Sequence, residues 1–154
     1  MELLVKNLIF TGLAPGMVAG FVPWLLAGGG PVAGGGSRVL ALLLFGVGVA
    51  IYSWCVWDFA SFGRGTPAPI DAPRHLVVRG LYRFSRNPMY LGVLTVVLGW
   101  AALFAHATLL VYAICVFIAF HCFVVFYEEP HLAQLFGDEY TAYRKSVGRW
   151  IGRP

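Results

Sequence analysis

Met89 to Phe104 reads MYLGVLTVVLGWAALF, and after Ala105-His106 the chain continues from Ala107 to Tyr127 as ATLLVYAICVFIAFHCFVVFY. Neither run contains an Asp, Glu, Lys or Arg. A helix crossing a bilayer core needs about 20 mostly apolar residues, or about 17 at the short end. Two such runs separated by two residues must reverse direction, so the stretch reads as a helical hairpin. The first of the pair is short, and Pro88, a favoured opening residue because its missing N–H would be unpaired anyway, is expected to begin its first turn. Two more apolar runs lie upstream, Leu8 to Ala27 and Val39 to Phe62. Pro15 and Pro23 kink the first, which membranes tolerate where neighbours satisfy the freed carbonyls. A cleaved signal peptide is the other reading of that run, but its basic end offers only Lys6 against Glu2 and it is long for such a segment. A retained helix is expected, and with it an all-α integral membrane fold of about four transmembrane helices.

Composition agrees with that reading. Of 154 residues, 59% are hydrophobic and 12% charged, about half the charge of a soluble domain. The length suits a single membrane domain over 1–154, divided into an N-terminal helical pair over 1–62 and a second half over 63–154 that holds the basic loop, the hairpin and the tail. The net charge of +4 does not indicate nucleic acid, because the basic residues lie in connectors between apolar runs. With four crossings, ten of the eleven Lys and Arg residues fall on one side, Arg38 alone on the other. The positive-inside rule makes that side cytoplasmic, with both termini there, in an inner or cytoplasmic membrane. Cys55, Cys115 and Cys122 all sit inside apolar runs without metal-ligand or disulfide spacing, and are read as small packing residues. No metal and no protein partner is implied.

Beyond Tyr127 the chain becomes amphipathic. Leu132, Leu135, Phe136, Tyr140, Tyr143 and Val147 recur at helical spacing, with Gln134, Asp138, Glu139, Arg144 and Lys145 between them. Gly137 weakens this helix and marks a candidate break. The segment is expected to lie at the membrane interface or to fold back on the bundle.

Two polar clusters flank the hairpin. One is Gly80-Leu81-Tyr82-Arg83-Phe84-Ser85-Arg86-Asn87-Pro88-Met89-Tyr90, in which Asn87 suits an N-cap and a helix start beside arginines suits an anion. An ordinary capped start with topology-setting arginines is the competing reading. The other is Tyr127-Glu128-Glu129-Pro130-His131, where two carboxylates oppose the helix macrodipole and need arginines or a cationic ligand. Two solvated acids at a membrane edge are the competing reading there. The hairpin returns both clusters to one membrane face, so Glu128, Glu129, Arg83, Arg86 and Asn87 can share a pocket suited to a ligand of mixed charge.

Arg86-Asn87-Pro88-Met89-Tyr90, followed by Gly92 and Leu98-Gly99-Trp100-Ala101, resembles the signature of the integral membrane methyltransferases. Tyr127-Glu128-Glu129-Pro130 and Phe136-Gly137-Asp138-Glu139-Tyr140 with Tyr143 resemble the C-terminal signature of that superfamily, which holds phospholipid N-methyltransferases and isoprenylcysteine carboxyl methyltransferases. The resemblance covers roughly Arg74 to Trp150. It implies methyl transfer from S-adenosylmethionine to a membrane lipid or lipidated small molecule. By position it puts cofactor contacts on Arg74 or His75, Leu76, Tyr82, Asn87, Pro88, Tyr90 and Glu128 or Glu129. The isoprenylcysteine enzymes carry a carboxyl-binding arginine four residues ahead of the carboxylate, where this chain has Val124, so a phospholipid amine is the favoured acceptor. Gly46-Val47-Gly48 has a weak parallel in the phospholipid enzymes and is read as a helix-packing element.

An amine acceptor arrives as ammonium and must lose a proton before attack. Glu128 or Glu129, with a pKa raised by partial burial, is the expected recipient, and Arg86 completes the catalytic set. Asp58, His121 and Arg83 are candidate substrate contacts, since an ionisable group within a span is a functional candidate by default. For His121 a neutral imidazole bonding a neighbouring element is the other reading. Two non-methyltransferase classes remain open on sequence alone: a nicotinamide-dependent membrane reductase relative, and an adaptor whose arginines only bind anionic lipid.

Overall fold

The protein was analysed as a computed structural model that describes residues 14–63 and 75–152. Among the described residues all regular structure is helical. Helix α1 (Met17–Ala27) opens as a π-helical stretch, Met17–Phe21, and continues as α-helix over Val22–Ala27. Helix α2 (Gly35–Asp58) runs into a π-turn at Phe59–Gly63. After a 3₁₀ turn at Gly80–Arg83 come α3 (Pro88–Phe104) and α4 (Ala107–Phe123). A π-turn at Val124–Glu128 then leads without interruption into α5 (Glu129–Ser146).

Two helices have the length and composition to cross a membrane, Gly35–Phe62 and the apolar part of Ala107–Ser146, with mean hydropathies of 2.3 and 2.7. Among the described residues the expectation of four such helices is therefore met by two. Met17–Ala27 and Pro88–Phe104 are apolar but shorter. Seventeen residues of α3 rise roughly 25 Å against a hydrocarbon core of roughly 30 Å. Part of the run from Leu8 lies outside the described residues.

Among the described elements the α2–α3 contact is the most extensive. Ala41, Gly48 and Cys55 are buried at seven-residue spacing on α2, and Gly92 and Gly99 are buried at the same spacing on α3. A Cβ on Gly48 would lie 2.7 Å from Gly92 O, and one on Gly99 would lie 2.8 Å from the Phe45 ring. Small residues let the two backbones meet where lipid offers no hydrophobic force to press helices together. Gly48 thus fulfils the packing role expected of it, whereas Gly46 faces open space. The link before α2 is held to the far end of α3, since Ala33 N–H donates to Leu103 O and Ser37 Oγ donates to Ala102 O at 2.7 Å. Helix α2 accordingly starts at Gly35, four residues before the apolar run.

Proline chemistry explains how α1 is seated. Pro23 has no N–H for Ala19 O, and the Trp100 indole N–H donates to that carbonyl at 2.8 Å. Val22 N–H reaches back to Met17 O in the π-helical pattern, and Tyr112 Oη donates to Val18 O at 2.8 Å. Both carbonyls freed from the α-helical pattern are therefore satisfied by the hairpin, the condition on which such prolines are tolerated in lipid.

At the other proline break, Pro130 cannot donate to Phe126 O, and Glu129 N–H instead reaches Val124 O. Gly137, at φ 51 and ψ −121, interrupts α5 as expected. The helix folds back: Tyr140, Tyr143 and Val147 are buried together, with Leu76, Leu132 and Phe136 packed against them. Leu135, expected on the apolar side, is 49% exposed.

Candidate functional site

The site lies where the start of α3, the π-turn after α4 and the 3₁₀ turn converge. Gly80 brings the 3₁₀ turn close to α2. It takes φ +54, and a Cβ there would collide with the Asp58 carboxylate and come within 2.9 Å of Trp54 Nε1. The turn delivers Tyr82 into a buried position, edge-on to Phe59 with ring centroids 5.5 Å apart. Tyr143 Oη donates to Tyr82 O at 2.7 Å, so the folded-back tail holds the turn from the other side.

Between α1, α2, α3 and α4 is a cavity of about 480 Å³, a size suited to a small ligand. Phe59, Phe120 and Phe123 give it aromatic walls, and its polar side chains are Tyr52, Tyr82, Asn87, Tyr90 and Glu128. No Lys, Arg or His lines it among the described residues. Ala14, Pro15 and Val18 close one side, so the first helix contributes to the site. Tyr90 Oη donates to Glu128 Oε1 at 2.5 Å, and the Tyr90 ring packs on Phe120 at 4.6 Å.

Glu128 and Glu129 lie beyond the apolar stretch that ends at Tyr127. Burial pushes the Glu128 carboxyl above its ordinary range; the Tyr90 hydrogen bond opposes this and the neighbouring Glu129 charge adds to it. Glu129 points into an ion cluster. Arg149 grips it bidentately, Nε to Oε1 at 2.7 Å and Nη2 to Oε2 at 3.0 Å. Arg86 Nη1 reaches Oε1 at 2.9 Å and also donates to Tyr140 Oη at 3.2 Å. Burial raises the Glu129 carboxyl too, but the Arg149 hydrogen bonds and the two guanidinium charges outweigh it and hold the group below its usual range.

The residues singled out in the sequence divide accordingly. Glu128, Tyr82, Asn87 and Tyr90 line the cavity. Glu129 and Arg86 stand beside it and are paired with each other; the pocket expected to hold both carboxylates with both arginines is thus split in two. Arg83 is exposed and does not line the cavity. Asn87 does occupy the N-cap position of α3, but its side chain makes no capping bond. Its Nδ2 donates instead to Arg149 O, and its N–H donates to Ser85 Oγ. Pro88 opens α3 and is buried. Leu76 packs against the tail cluster, His75 is exposed, and Arg74 lies outside the described residues.

Two candidate substrate contacts are occupied elsewhere. Asp58 is buried at the end of α2, 3.4 Å from Arg79 Nε, with Oδ2 unpartnered. His121 Nδ1 accepts from Trp150 Nε1 at 3.1 Å and does not line the cavity. An uninterrupted α-helix would put His121 and Glu128 on one face, but the intervening π-turn shifts the register. Val124 is buried and apolar where a carboxyl-binding arginine would stand. Arg149, Trp150 and Tyr140 escaped the sequence reading as site components. A lone arginine and tryptophan past an amphipathic stretch look like interface anchors.

Two helices long and apolar enough to cross a membrane, with a mostly apolar cavity lined in part by the Glu128 carboxylate, agree with a membrane protein that has a small-ligand site. A family model described as phospholipid methyltransferase matches residues 37–139, and the chain belongs to that family. Its class is thus membrane methyltransferase. An uncharacterised protein of Haemophilus influenzae is 32% identical over 63 residues, which are 41% of this chain and the whole of that protein. No solved structure matches.

Proposed function

We propose that this protein methylates the amine head group of a phospholipid-like acceptor, using S-adenosylmethionine, at the cytoplasmic ends of its helices. The observation that carries the reading is the cavity itself, whose one carboxylate, Glu128, has no cationic neighbour on the lining described. Such a site favours a cation and disfavours a carboxylate acceptor, which Val124 also leaves without an arginine.

The residues present fit the cofactor. The phenylalanine walls suit an adenine ring, and Glu128, Asn87 and Tyr82 offer polar partners for ribose hydroxyls and an ammonium. When bound, S-adenosylmethionine supplies a methyl group made electrophilic by its sulfonium. The chain's own tasks are orientation and proton removal. Glu128, raised by burial, takes the proton from the acceptor ammonium, and Tyr90 holds the carboxylate in place. The Arg86–Glu129–Arg149 cluster keeps the second carboxylate ionised and paired. In this reading α1 and α3 cross the membrane as members of the bundle with α2 and α4. The basic connectors, with ten of the eleven Lys and Arg residues, mark the cytoplasmic side.

The test is binding of S-adenosylhomocysteine to detergent-purified protein, read as a thermal shift, with Glu128→Ala alongside. A shift in the wild type that the variant loses supports the proposal. A well-folded wild type that does not shift at high ligand concentration overturns it and restores the nicotinamide-reductase and adaptor readings.

A further inference from the structure

The C-terminal segment that follows α5 is bound at several points to parts of the chain remote in sequence. Arg86 N–H donates to Gly148 O at 3.0 Å, Asn87 Nδ2 donates to Arg149 O at 3.0 Å, and Ser85 Oγ donates to the same carbonyl at 3.4 Å. From the other side, the Arg149 guanidinium holds Glu129 and the Trp150 indole N–H holds His121. The Trp150 ring also packs 5.1 Å from Phe117. The segment is therefore a strap joining the start of α3 to the end of α4.

One of these bonds acts on a group that lines the cavity. A carboxamide has a donor end and an acceptor end, and a backbone carbonyl can only accept. The bond to Arg149 O therefore commits Asn87 Nδ2 to the strap and leaves Oδ1 as the acceptor available to a ligand. Glu128, on the same cavity, is also an acceptor when ionised.

We propose that the strap is part of the binding site: through Arg149 O it holds the Asn87 amide with Oδ1 offered to the cavity, where Oδ1 and Glu128 together receive the N–H groups of a ligand ammonium. Trp150 is a positioning residue, acting on Asn87 by pinning the strap to His121. The inference rests on the methyltransferase reading, in which an ammonium comes from the amino-acid end of the cofactor or from the amine acceptor.

The experiment is a double-variant cycle on the full chain, combining Trp150→Ala with Asn87→Ala. Two constants are read: Kd for S-adenosylhomocysteine and KM for phosphatidylethanolamine in mixed micelles. Trp150→Phe is carried in parallel, because it keeps a ring against Phe117 and removes only the indole donor. Trp150→Ala should weaken one of the two constants about tenfold, the scale of one hydrogen bond to a charged group. Adding it to Asn87→Ala should cost nothing further. Loss in Kd identifies the cofactor ammonium as the ligand group, and loss in KM the acceptor amine. Losses that multiply in the double variant, or Trp150 variants with wild-type values for both constants, overturn the strap's role while leaving the methyltransferase reading standing. A wild type that binds no S-adenosylhomocysteine overturns both.

Discussion

Glu128 and Glu129 are adjacent in the chain and sit in opposite surroundings. Glu128 faces an apolar cavity with one tyrosine hydroxyl on its carboxylate. Glu129 lies between two guanidinium groups. The first carboxyl is pushed up by burial and the second is held down by arginines. In the proposed mechanism the contrast divides the work between two identical side chains: Glu128 is the one that would take a proton, and Glu129, paired with Arg86 and Arg149, fastens the structure. Environments that drive two carboxyls apart are a usual way of assigning acid–base roles.

The sharpest way to break this comparison is Glu128→Gln. The substitution keeps the Tyr90 hydrogen-bond acceptor and removes the base, so the rate of methyl transfer to phosphatidylethanolamine should fall at least about a hundredfold with an unchanged thermal midpoint. A variant retaining most of the wild-type rate would remove Glu128 from the chemistry. Glu129→Ala should behave in the opposite way. It leaves the Arg86 side chain, only 8% exposed, without its carboxylate, and should cost about 3 kcal/mol of stability in detergent. If Glu129→Ala is as stable as wild type, the cluster is not a structural fastening.

The pH dependence separates the pair further. A carboxyl whose folded pKa is depressed stabilises the fold above its unfolded value, and that contribution is lost as pH falls through the folded one. Wild-type stability should therefore decline below the ordinary glutamate value of 4.5, and Glu129→Gln should show less of that decline in acid titrations of the thermal midpoint. Tyr90→Phe is the mildest test. The Tyr90 hydrogen bond lowers the Glu128 pKa, so its removal should raise that pKa and move the acid limb of the pH–rate profile upward, slowing neutral-pH turnover a few-fold. A limb that stays in place would detach Tyr90 from the tuning of Glu128.

Much of the frame was legible in the sequence because it depends on local chemistry. Pro88 starts α3 and Gly137 breaks α5 through the backbone preferences of those residues, whereas the hairpin turns at Ala105-His106 because two apolar runs so close together must reverse, with Ala105 taking φ 49 against its own preference. Pro23 implied that a neighbour must satisfy a freed carbonyl, and Trp100 does so. Gly48 implied close helix packing, and the structure sets it against Gly92 of α3. Of the site, the sequence brought Asn87, Tyr90 and Glu128 to one end of the bundle, since a hairpin must return its two ends to one face.

Which carboxylate faces the cavity was decided only in three dimensions. Neighbouring helix positions point about 100° apart, and a π-turn at Val124–Glu128 alters the register between them. The partners that separate the two acids come from far along the chain: Arg149 lies 20 residues from Glu129, and Tyr90 lies 38 from Glu128. The cavity walls from α1 and the Trp150–His121 contact are likewise products of packing between distant segments. Backbone preference and apolar length act over a few residues and can be read in order along a chain. Burial and charge pairing depend on what the folded chain brings beside each group, and for Glu128 and Glu129 that company determines their chemistry.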